Sequence, residues 1–294
     1  MDVTYRVTVP DALREEIAAN FRKLQPIDHG SEQYHRKIAE EAVSLERCRQ
    51  MVAEVERFCE LRPGNRFLEV GSGYSCLVTI LNRSGVDAYG LEPAFEEYAS
   101  TQIAREILAA NGVDPERVID APGENMPFPD DHFDNIYSMS VLEHTQAPEK
   151  VIDEVVRVLA PGGTAVLNFP NYGSWWEGHY NVVMLPHCPK WLFKLQVALA
   201  GRKTDYVDLL QFITYAQLRR WLKKHEGKVE VVSTGQEVWT ERVRSLQFSE
   251  WGGLGKLRRI VGVVNRLGVA NLVIALGLRL HWETPFLLVL RKPA

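Results

Sequence analysis

Cysteine pairs and long apolar runs are both missing from this sequence. Its 294 residues include four cysteines, and no two of them form a CxxC pair. Scattered cysteines are typical of free thiols in a reducing compartment, and they argue against a structural zinc site. The longest apolar stretch, 260–278, is interrupted by Asn265, Arg266 and Asn271, whereas a membrane-spanning helix needs about 20 mostly apolar residues. The first residues lack a basic segment followed by an apolar core, so we expect no signal peptide and a cytoplasmic protein.

The chain as a whole also lacks a strong excess of either charge. Its net charge is −4, and a content of 46% hydrophobic and 24% charged residues excludes a disordered or fibrous protein. Residues 1–170 carry 16 basic and 29 acidic side chains, whereas residues 171–294 carry 18 and 9, and all seven tryptophans. The two parts are therefore expected to face different partners. We expect no nucleic-acid partner, because no RNA-binding module is recognisable.

Short apolar runs alternate with helical patterns from residue 66 onward. The predicted strands are 66–70, 87–91, 118–121, 135–140, 164–169, 229–233 and 286–290. Helical patterns cover 31–60, 148–159 and 214–225. This alternation predicts an α/β fold with a mostly parallel sheet and helices on both faces.

The connections divide the chain into an N-terminal segment and one main domain. We expect an N-terminal helical lid at 1–60 and the domain at 61–294. The connections after the fifth strand and between the last two strands are far longer than ordinary ones. They predict a substrate-facing insert at 171–228 and a basic amphipathic insert at 236–284.

The strongest motif is a strand that ends beside a glycine-rich turn. In the run FLEVGSGYS, residues 67–75, alternate glycines permit a tight turn and close approach of the backbone to a ligand. Glu92 stands 21 residues after Gly71, at the end of the next strand, where a carboxylate can bind ribose hydroxyls. The segments GENMPF at 123–128 and VLEH at 141–144 complete the pattern.

In this order and spacing, the motifs resemble those of class I S-adenosylmethionine-dependent methyltransferases. The resemblance is closest to the subgroup that includes ubiquinone-biosynthesis and sugar methyltransferases, and it covers about residues 60–170. It implies a seven-stranded Rossmann-like sheet with an antiparallel last strand, and S-adenosyl-L-methionine as the cofactor. A dinucleotide-dependent dehydrogenase is the alternative, but it expects a glycine where Cys76 stands.

The resemblance also implies roles for single residues of the cofactor site. From the methionine end to the ribose, the adenine and the pocket wall, these are Glu69, Gly71, Ser72, Gly73, Glu92, Pro93, Gly123, Glu124, Asn125 and Ser138. Glu69 would hold the amino group, Glu92 the ribose hydroxyls, and Glu124 would border the adenine. Two positions depart from the family pattern, because Ser75 replaces the third glycine and Pro122 stands where relatives often carry an adenine-binding aspartate.

Methyl transfer to a hydroxyl needs a base with a pKa near neutral, and histidine is the usual one. The candidate catalytic residues are His179 and Tyr180, in the segment WWEGHYN after strand five, and His144 after strand four. His187 is a third histidine to consider. In the alternative reading His144 only holds its loop, and Tyr180 with the tryptophans forms a pocket wall that would suit a sugar or another ring.

We expect no metal at this site. Some quinone-pathway relatives resemble metal-assisted enzymes that use Glu-x-x-Glu-His after strand four. The run here is SVLEH, residues 140–144, so the first carboxylate is missing.

Two stretches, 178–204 and 251–282, contain no acidic residue. In the second, Leu257, Ile260, Val264 and Leu267 share one helical face. A basic amphipathic helix flanked by tryptophan can lie on an anionic membrane, here the inner membrane face. The alternative is a helix that packs on the sheet or forms a homodimer interface.

Together these features favour methyl transfer to the oxygen of a small or lipid-linked acceptor, such as a glycan precursor. A quinone or isoprenoid ring is the alternative acceptor. A non-catalytic scaffold or sensor that binds S-adenosylmethionine is the alternative from another class. An intact cofactor site without a productive acceptor pocket would favour the scaffold.

Overall fold

The protein is built around one seven-stranded sheet. The computed structural model describes residues 5–24, 32–94, 99–180, 182–245, 262 and 268–294. The strands of the sheet are β1 Arg66–Val70, β2 Asp87–Leu91, β3 Val118–Ile119, β4 Phe133–Met139, β5 Leu159–Phe169, β8 Glu230–Ser233 and β9 Phe286–Arg291. A separate hairpin contains β6 Trp176–Glu177 and β7 Val182–Val183.

The strand order is β3-β2-β1-β4-β5-β9-β8. Strands β1 to β5 run parallel, and β9 lies antiparallel between β5 and β8. This confirms the predicted α/β fold, including its antiparallel last strand. Four of the five residues of β1 are buried, because helices cover both faces of a parallel sheet. The carboxyl ends of β1, β2, β4 and β5 therefore meet at one edge.

Helices cover the sheet and occupy its long connections. They are α1 Asp11–Leu24, α2 Glu32–Ala42, α3 Leu45–Glu56, α4 Cys76–Arg83, α5 Ser100–Ala110, α6 Pro148–Val158, α7 Lys190–Leu199, α8 Tyr206–Leu209, α9 Tyr215–Lys223, α10 Gln236–Ser245 and α11 Ala270–Arg279. Helix α6 shows how the pattern works. Pro148 stands at its start, and Val151, Ile152, Val155 and Val156 form its buried face at helical spacing.

The N-terminal helices share the core on one face of the sheet. The helix predicted over 31–60 is instead two helices, because Ser44 begins α3 by accepting a hydrogen bond from the Arg47 backbone N–H at 3.1 Å. Val52 and Val55 of α3 belong to the same buried cluster as Leu77 of α4. These helices therefore pack as part of the domain core, and a role as a lid stays a prediction.

The connection after β5 has a small core of its own. The β6–β7 hairpin, α7 and α8 contribute Tyr180, Phe193 and Val207 to it. The next long connection, between β8 and β9, contains α10 and α11, which pack through Trp239 and Ile274. Leu257, Ile260, Val264 and Leu267, the residues of the predicted amphipathic face, lie outside the described residues.

Candidate active site

The turn between β1 and α4 has the backbone conformation that glycine favours. Gly71 has a φ of +71° and Gly73 a φ of +51°. A Cβ atom at Gly71 would overlap the side chain of Val141, so only glycine fits there. Ser75, at the position of the family's third glycine, is also left-handed with a φ of +54°. The departure from the family pattern therefore changes the residue and keeps the turn.

Two buried polar atoms near this turn have no hydrogen-bond partner among the described residues. Glu69 is 4% exposed, and its Oε2 is unpaired. Burial, and next the charge of Glu92, raise the pKa of Glu69 well above its usual value. The Oγ of Ser138, at the end of β4, is likewise buried and unpaired. An orphaned carboxylate oxygen fits the amino group of a methionine moiety, so these residues suit the cofactor that the sequence implies.

Glu92 joins the ends of β1 and β2 at the expected ribose position. Its Oε2 accepts the backbone N–H of Gly73 at 2.8 Å, and its Oε1 accepts the Ser100 hydroxyl at 3.0 Å. Burial raises the pKa of this carboxyl despite both bonds. Each oxygen keeps a second lone pair, which a ribose hydroxyl would use. Pro93 follows directly and leads out of β2.

The predicted adenine residues adopt different environments. Oε1 of Glu124 accepts the backbone N–H groups of Gln146 at 2.8 Å and Ala147 at 3.2 Å, at the entry to α6. Gly123 is buried, whereas Asn125 is exposed. One oxygen of Glu124 is therefore engaged in holding α6, and the backbone around Gly123 is the better-placed group for the adenine.

Two of the candidate histidines face each other at the same edge of the sheet. His144 follows β4, and His179 lies in the hairpin between β6 and β7. Their Nε2 atoms are 3.2 Å apart. The Nδ1 of His179 lies 2.7 Å from Oε1 of Glu177, which is fully buried. Tyr206 stands against both imidazoles, with ring centres 5.5 Å from His179 and 6.0 Å from His144.

A second buried carboxylate, Glu143, completes this cluster. Its Oε1 is 3.9 Å from the Nε2 of both His144 and His179, and neither of its oxygens has a hydrogen-bond partner among the described residues. Burial raises the pKa of Glu143 to about 7, against the opposing effect of the His179 charge. Burial alone would lower the pKa of His179, but the bond to Glu177 and the two carboxylate charges outweigh it and raise that pKa. Burial and the His179 charge lower the pKa of His144.

The two remaining candidates make different contacts. The backbone N–H of Tyr180 donates to Oε2 of Glu177 at 2.7 Å and so helps to hold that carboxylate. The ring of Tyr180 is fully buried and its hydroxyl donates to the backbone oxygen of Lys203 at 2.9 Å, so its side chain serves the core of the insert. His187 is exposed and packs against the backbone of Gly173. The sequence reasoning missed Glu177 and Tyr206 as members of the site. The one available signal was the position of Glu177 two residues before a candidate base.

Sheet order, glycine turn and carboxylate positions define a Rossmann-like α/β protein with its site at the carboxyl edge of the strands. Residues 68–167 match the family described as a methyltransferase domain. The chain is 33% identical over 123 residues to an uncharacterized methyltransferase of Mycolicibacterium vanbaalenii, covering 41% of this chain and 45% of that protein. It is 34% identical over 131 residues to one from a Mycobacterium species, covering 44% of this chain and 49% of that protein. The chain thus matches about half the length of these relatives.

The fold is similar to that of a solved protein named for a different activity. The [4+2]-cyclase SpnF matches with a TM-score of 0.50 and 16% identity, over 85% of this chain and 83% of that chain. At this identity the likeness concerns the fold alone. The family match and the curated relatives identify a methyltransferase domain in residues 68–167, in agreement with the resemblance of the sequence motifs. Its cofactor is S-adenosyl-L-methionine, as the sequence predicted.

Proposed function

We propose that this protein methylates an oxygen atom of a small or lipid-linked molecule, with a glycan precursor as the preferred acceptor. The observation that carries this proposal is the array of Glu177, His179 and His144 at the edge of the sheet that holds the cofactor turn. When bound, S-adenosyl-L-methionine supplies an activated methyl group. The protein must then position the acceptor and take up the proton of its hydroxyl.

The hydrogen bond that Nδ1 of His179 donates to Glu177 suits His179 for removal of that proton. A carboxylate only accepts hydrogen bonds, so Nδ1 of His179 carries its hydrogen and Nε2 is left with a lone pair. This orientation of an imidazole by a buried carboxylate recurs in hydroxyl-activating enzymes. His144 lies on the other side of the same Nε2 and would contact the same hydroxyl.

The neighbouring aromatic ring favours a ring-shaped acceptor. Tyr206 stands beside both imidazoles, and a sugar or quinone ring would pack on such a surface. The polar groups around it favour the sugar, because a quinone ring needs fewer hydrogen-bond partners. A scaffold that binds the cofactor without catalysis would have no use for the buried Glu177–His179 pair.

We also propose that the acceptor insert contacts an anionic membrane. Trp191, Leu195 and Leu199, one turn apart on α7, are 68%, 50% and 81% exposed. The acid-free stretch 178–204 that contains this stripe also carries Lys190, Lys194, Arg202 and Lys203, of which Lys194 pairs with Asp208 and Arg202 donates to the Tyr180 carbonyl. Among the described residues no helix is long and apolar enough to cross a membrane. A surface of this kind fits a bilayer interface that presents a lipid-linked acceptor.

Radiolabelled S-adenosylmethionine and a panel of acceptors test the proposed reaction. Sugar hydroxyls, ring hydroxyls of quinol type and a buffer blank should be compared, with His179→Ala and a control variant, His132→Ala. Labelled sugar product that falls about 10²–10⁴-fold in His179→Ala alone supports the proposal. Label on the ring hydroxyls alone favours the quinone alternative. Cofactor binding without transfer to any acceptor favours the scaffold.

A further inference from the structure

The Glu143–His144–His179 cluster leaves polar atoms unsatisfied if it stands alone. Glu143 is fully buried, yet both of its carboxylate oxygens lack a hydrogen-bond partner among the described residues. A buried carboxylate in this condition carries the full cost of lost hydration. The Nε2 atoms of His144 and His179 each lie 3.9 Å from Oε1 of Glu143, which is too far for a hydrogen bond.

The two imidazoles do not remove this deficit by bonding to each other. Because Glu177 accepts the Nδ1 hydrogen of His179, the Nε2 of His179 is an acceptor in the neutral ring. A hydrogen on Nε2 of His144 would satisfy that single contact of 3.2 Å. Both oxygens of Glu143 would remain unpaired. A single cation between the three side chains would bind the Nε2 lone pairs of both histidines and the carboxylate of Glu143.

The distance between the two Nε2 atoms matches that of two ligands that share one metal ion, and Oε1 of Glu143, 3.9 Å from both, would need to move only about 0.5 Å closer to join them. Two nitrogens bound at about 2.1 Å with an angle of about 90–109° at the metal lie about 3.0–3.4 Å apart. The two Nε2 atoms are 3.2 Å apart, and the possible ligand atoms of all three residues lie within 4.8 Å of one another. Glu177 supplies the carboxylate that typically orients a metal-binding histidine from behind.

We propose that Glu143, His144 and His179 bind a divalent transition-metal ion, with Zn²⁺ as the best fit. Two imidazole nitrogens and one carboxylate suit Zn²⁺, whereas Mg²⁺ and Ca²⁺ prefer sites made of oxygen ligands alone. The expectation of no metal rested on the missing carboxylate at Ser140. The fold brings the third ligand instead from the hairpin after β5, 35 residues beyond His144.

Three protein ligands leave coordination positions open for a hydroxyl, and this consequence rests on the proposed function. Bound Zn²⁺ would occupy the Nε2 lone pair of His179, so the ion and not that imidazole would then activate the hydroxyl. The ion would lower the pKa of the bound hydroxyl, so that its O–H bond breaks and the proton leaves to water. The oxygen lone pair then forms the bond to the methyl carbon, while the carbon–sulfur bond breaks and its electron pair stays on sulfur. The binding of the ion itself requires no acceptor.

Zinc binding should be measured directly on the full chain, freed of metal with a chelator. Calorimetric titration with Zn²⁺ should show one site per chain. Glu143→Gln, which keeps the shape of the side chain, should weaken binding at least about 10-fold, as should His144→Ala and His179→Ala. Glu177→Gln should weaken it about 10–100-fold, the usual effect of removing the group behind a ligand. His132→Ala is the matched control, since His132 precedes β4 and lies at the opposite end of that strand.

Each variant is also titrated with S-adenosylhomocysteine and melted thermally, so that misfolding is recognised. Loss of zinc in the three ligand variants, with S-adenosylhomocysteine affinity within about twofold of wild type, supports the site. Zinc binding that is absent in folded wild type, or equal in wild type and Glu143→Gln, overturns it. Zinc binding without methyl transfer to any acceptor would refute the proposed function and leave the metal site standing.

Discussion

The backbone N–H of Gly73 donates to Oε2 of Glu92 across 2.8 Å, so the glycine turn and the end of β2 hold each other. The Ser100 hydroxyl holds the other oxygen of the same carboxylate. Glu92 thus links the glycine turn, the end of β2 and the start of α5, so the cofactor turn is already held in place without a ligand. Such preorganisation lowers the entropic cost of binding.

Replacing Glu92 should weaken cofactor binding. Glu92→Ala removes charge-assisted hydrogen bonds, each typically worth about 1.5–3 kcal/mol, and we expect a loss of affinity in that range. Calorimetric titration with S-adenosylhomocysteine measures it. Glu106→Ala, an exposed change on α5, is the control and should leave the dissociation constant unchanged. An unchanged constant in folded Glu92→Ala would remove Glu92 from the site.

Alanine at Gly71 should cost more stability than alanine at Gly64. Both glycines have a positive φ, +71° and +84°, so each change carries a backbone cost of about 1–2 kcal/mol. At Gly71 the new Cβ also meets Val141, whereas nothing lies within 4 Å at Gly64. We expect about 1–3 kcal/mol more from this overpacking. Urea unfolding measures both, and adding Val141→Ala should recover part of the Gly71 loss. An equal loss in the free energy of unfolding at Gly71 and Gly64 would show that the contact with Val141 has no effect on stability.

Glu154 should stabilise the protein in a pH-dependent way. Its carboxylate binds the Arg157 guanidinium at 2.7 Å and accepts the Met126 backbone N–H, and the bond to Arg157 lowers its pKa below the usual 4.5. A lowered folded pKa gives stability that is present above about pH 4.5 and lost as the pH falls through the folded value. Glu154→Gln should therefore destabilise clearly at about pH 7, and the difference should shrink towards about pH 3.5. Thermal melts across this range test it, with Glu149→Gln on the same helix for comparison. A pH-independent difference would show that the charge is irrelevant.

The α7 stripe should control binding to lipid. Full-length protein should float with vesicles that contain anionic lipid and dissociate as salt rises, because salt screens the attraction of each lysine or arginine. Leu195→Glu places a charge in the stripe and should abolish flotation, whereas Leu45→Glu, at another exposed leucine, should not. Absence of flotation at low salt would defeat the membrane proposal. A concentration-dependent dimer that Leu195→Glu disrupts would instead identify the stripe as a subunit interface.

The local patterns in the sequence were sufficient to predict the sheet. Strand β1 was predicted with the correct bounds because an apolar run that ends in a glycine turn has few alternative conformations. The break at Ser44 was missed, because the apolar spacing continues across it and only the serine cap interrupts the helix. The length of β5 was underestimated, since Pro161, Gly162 and Gly163 indicated a turn.

The acceptor side of the site depends on contacts that no local pattern encodes. His144 and His179 were identified as candidates separately, from their positions after strands four and five. Their 3.2 Å contact arises because the chain after β5 returns over the loop after β4, where the Gln211 N–H donates to the Glu143 carbonyl at 2.7 Å. Sequence separation hides such a contact. It also hid the approach of His179 to Glu143, because the comparison of residues 140–144 with the Glu-x-x-Glu-His pattern considered ligands from one loop alone.

His144 and His179 are in contact but belong to two different parts of the chain, the matched methyltransferase domain and the hairpin that follows β5. The family match ends at residue 167, so it contains His144 and stops before the hairpin that carries His179. We therefore expect changes in this hairpin to affect the proposed acceptor contacts of His179 and to leave the glycine turn and Glu92 in place. A graft of the 170–214 segment from a relative is the natural unit for re-engineering specificity.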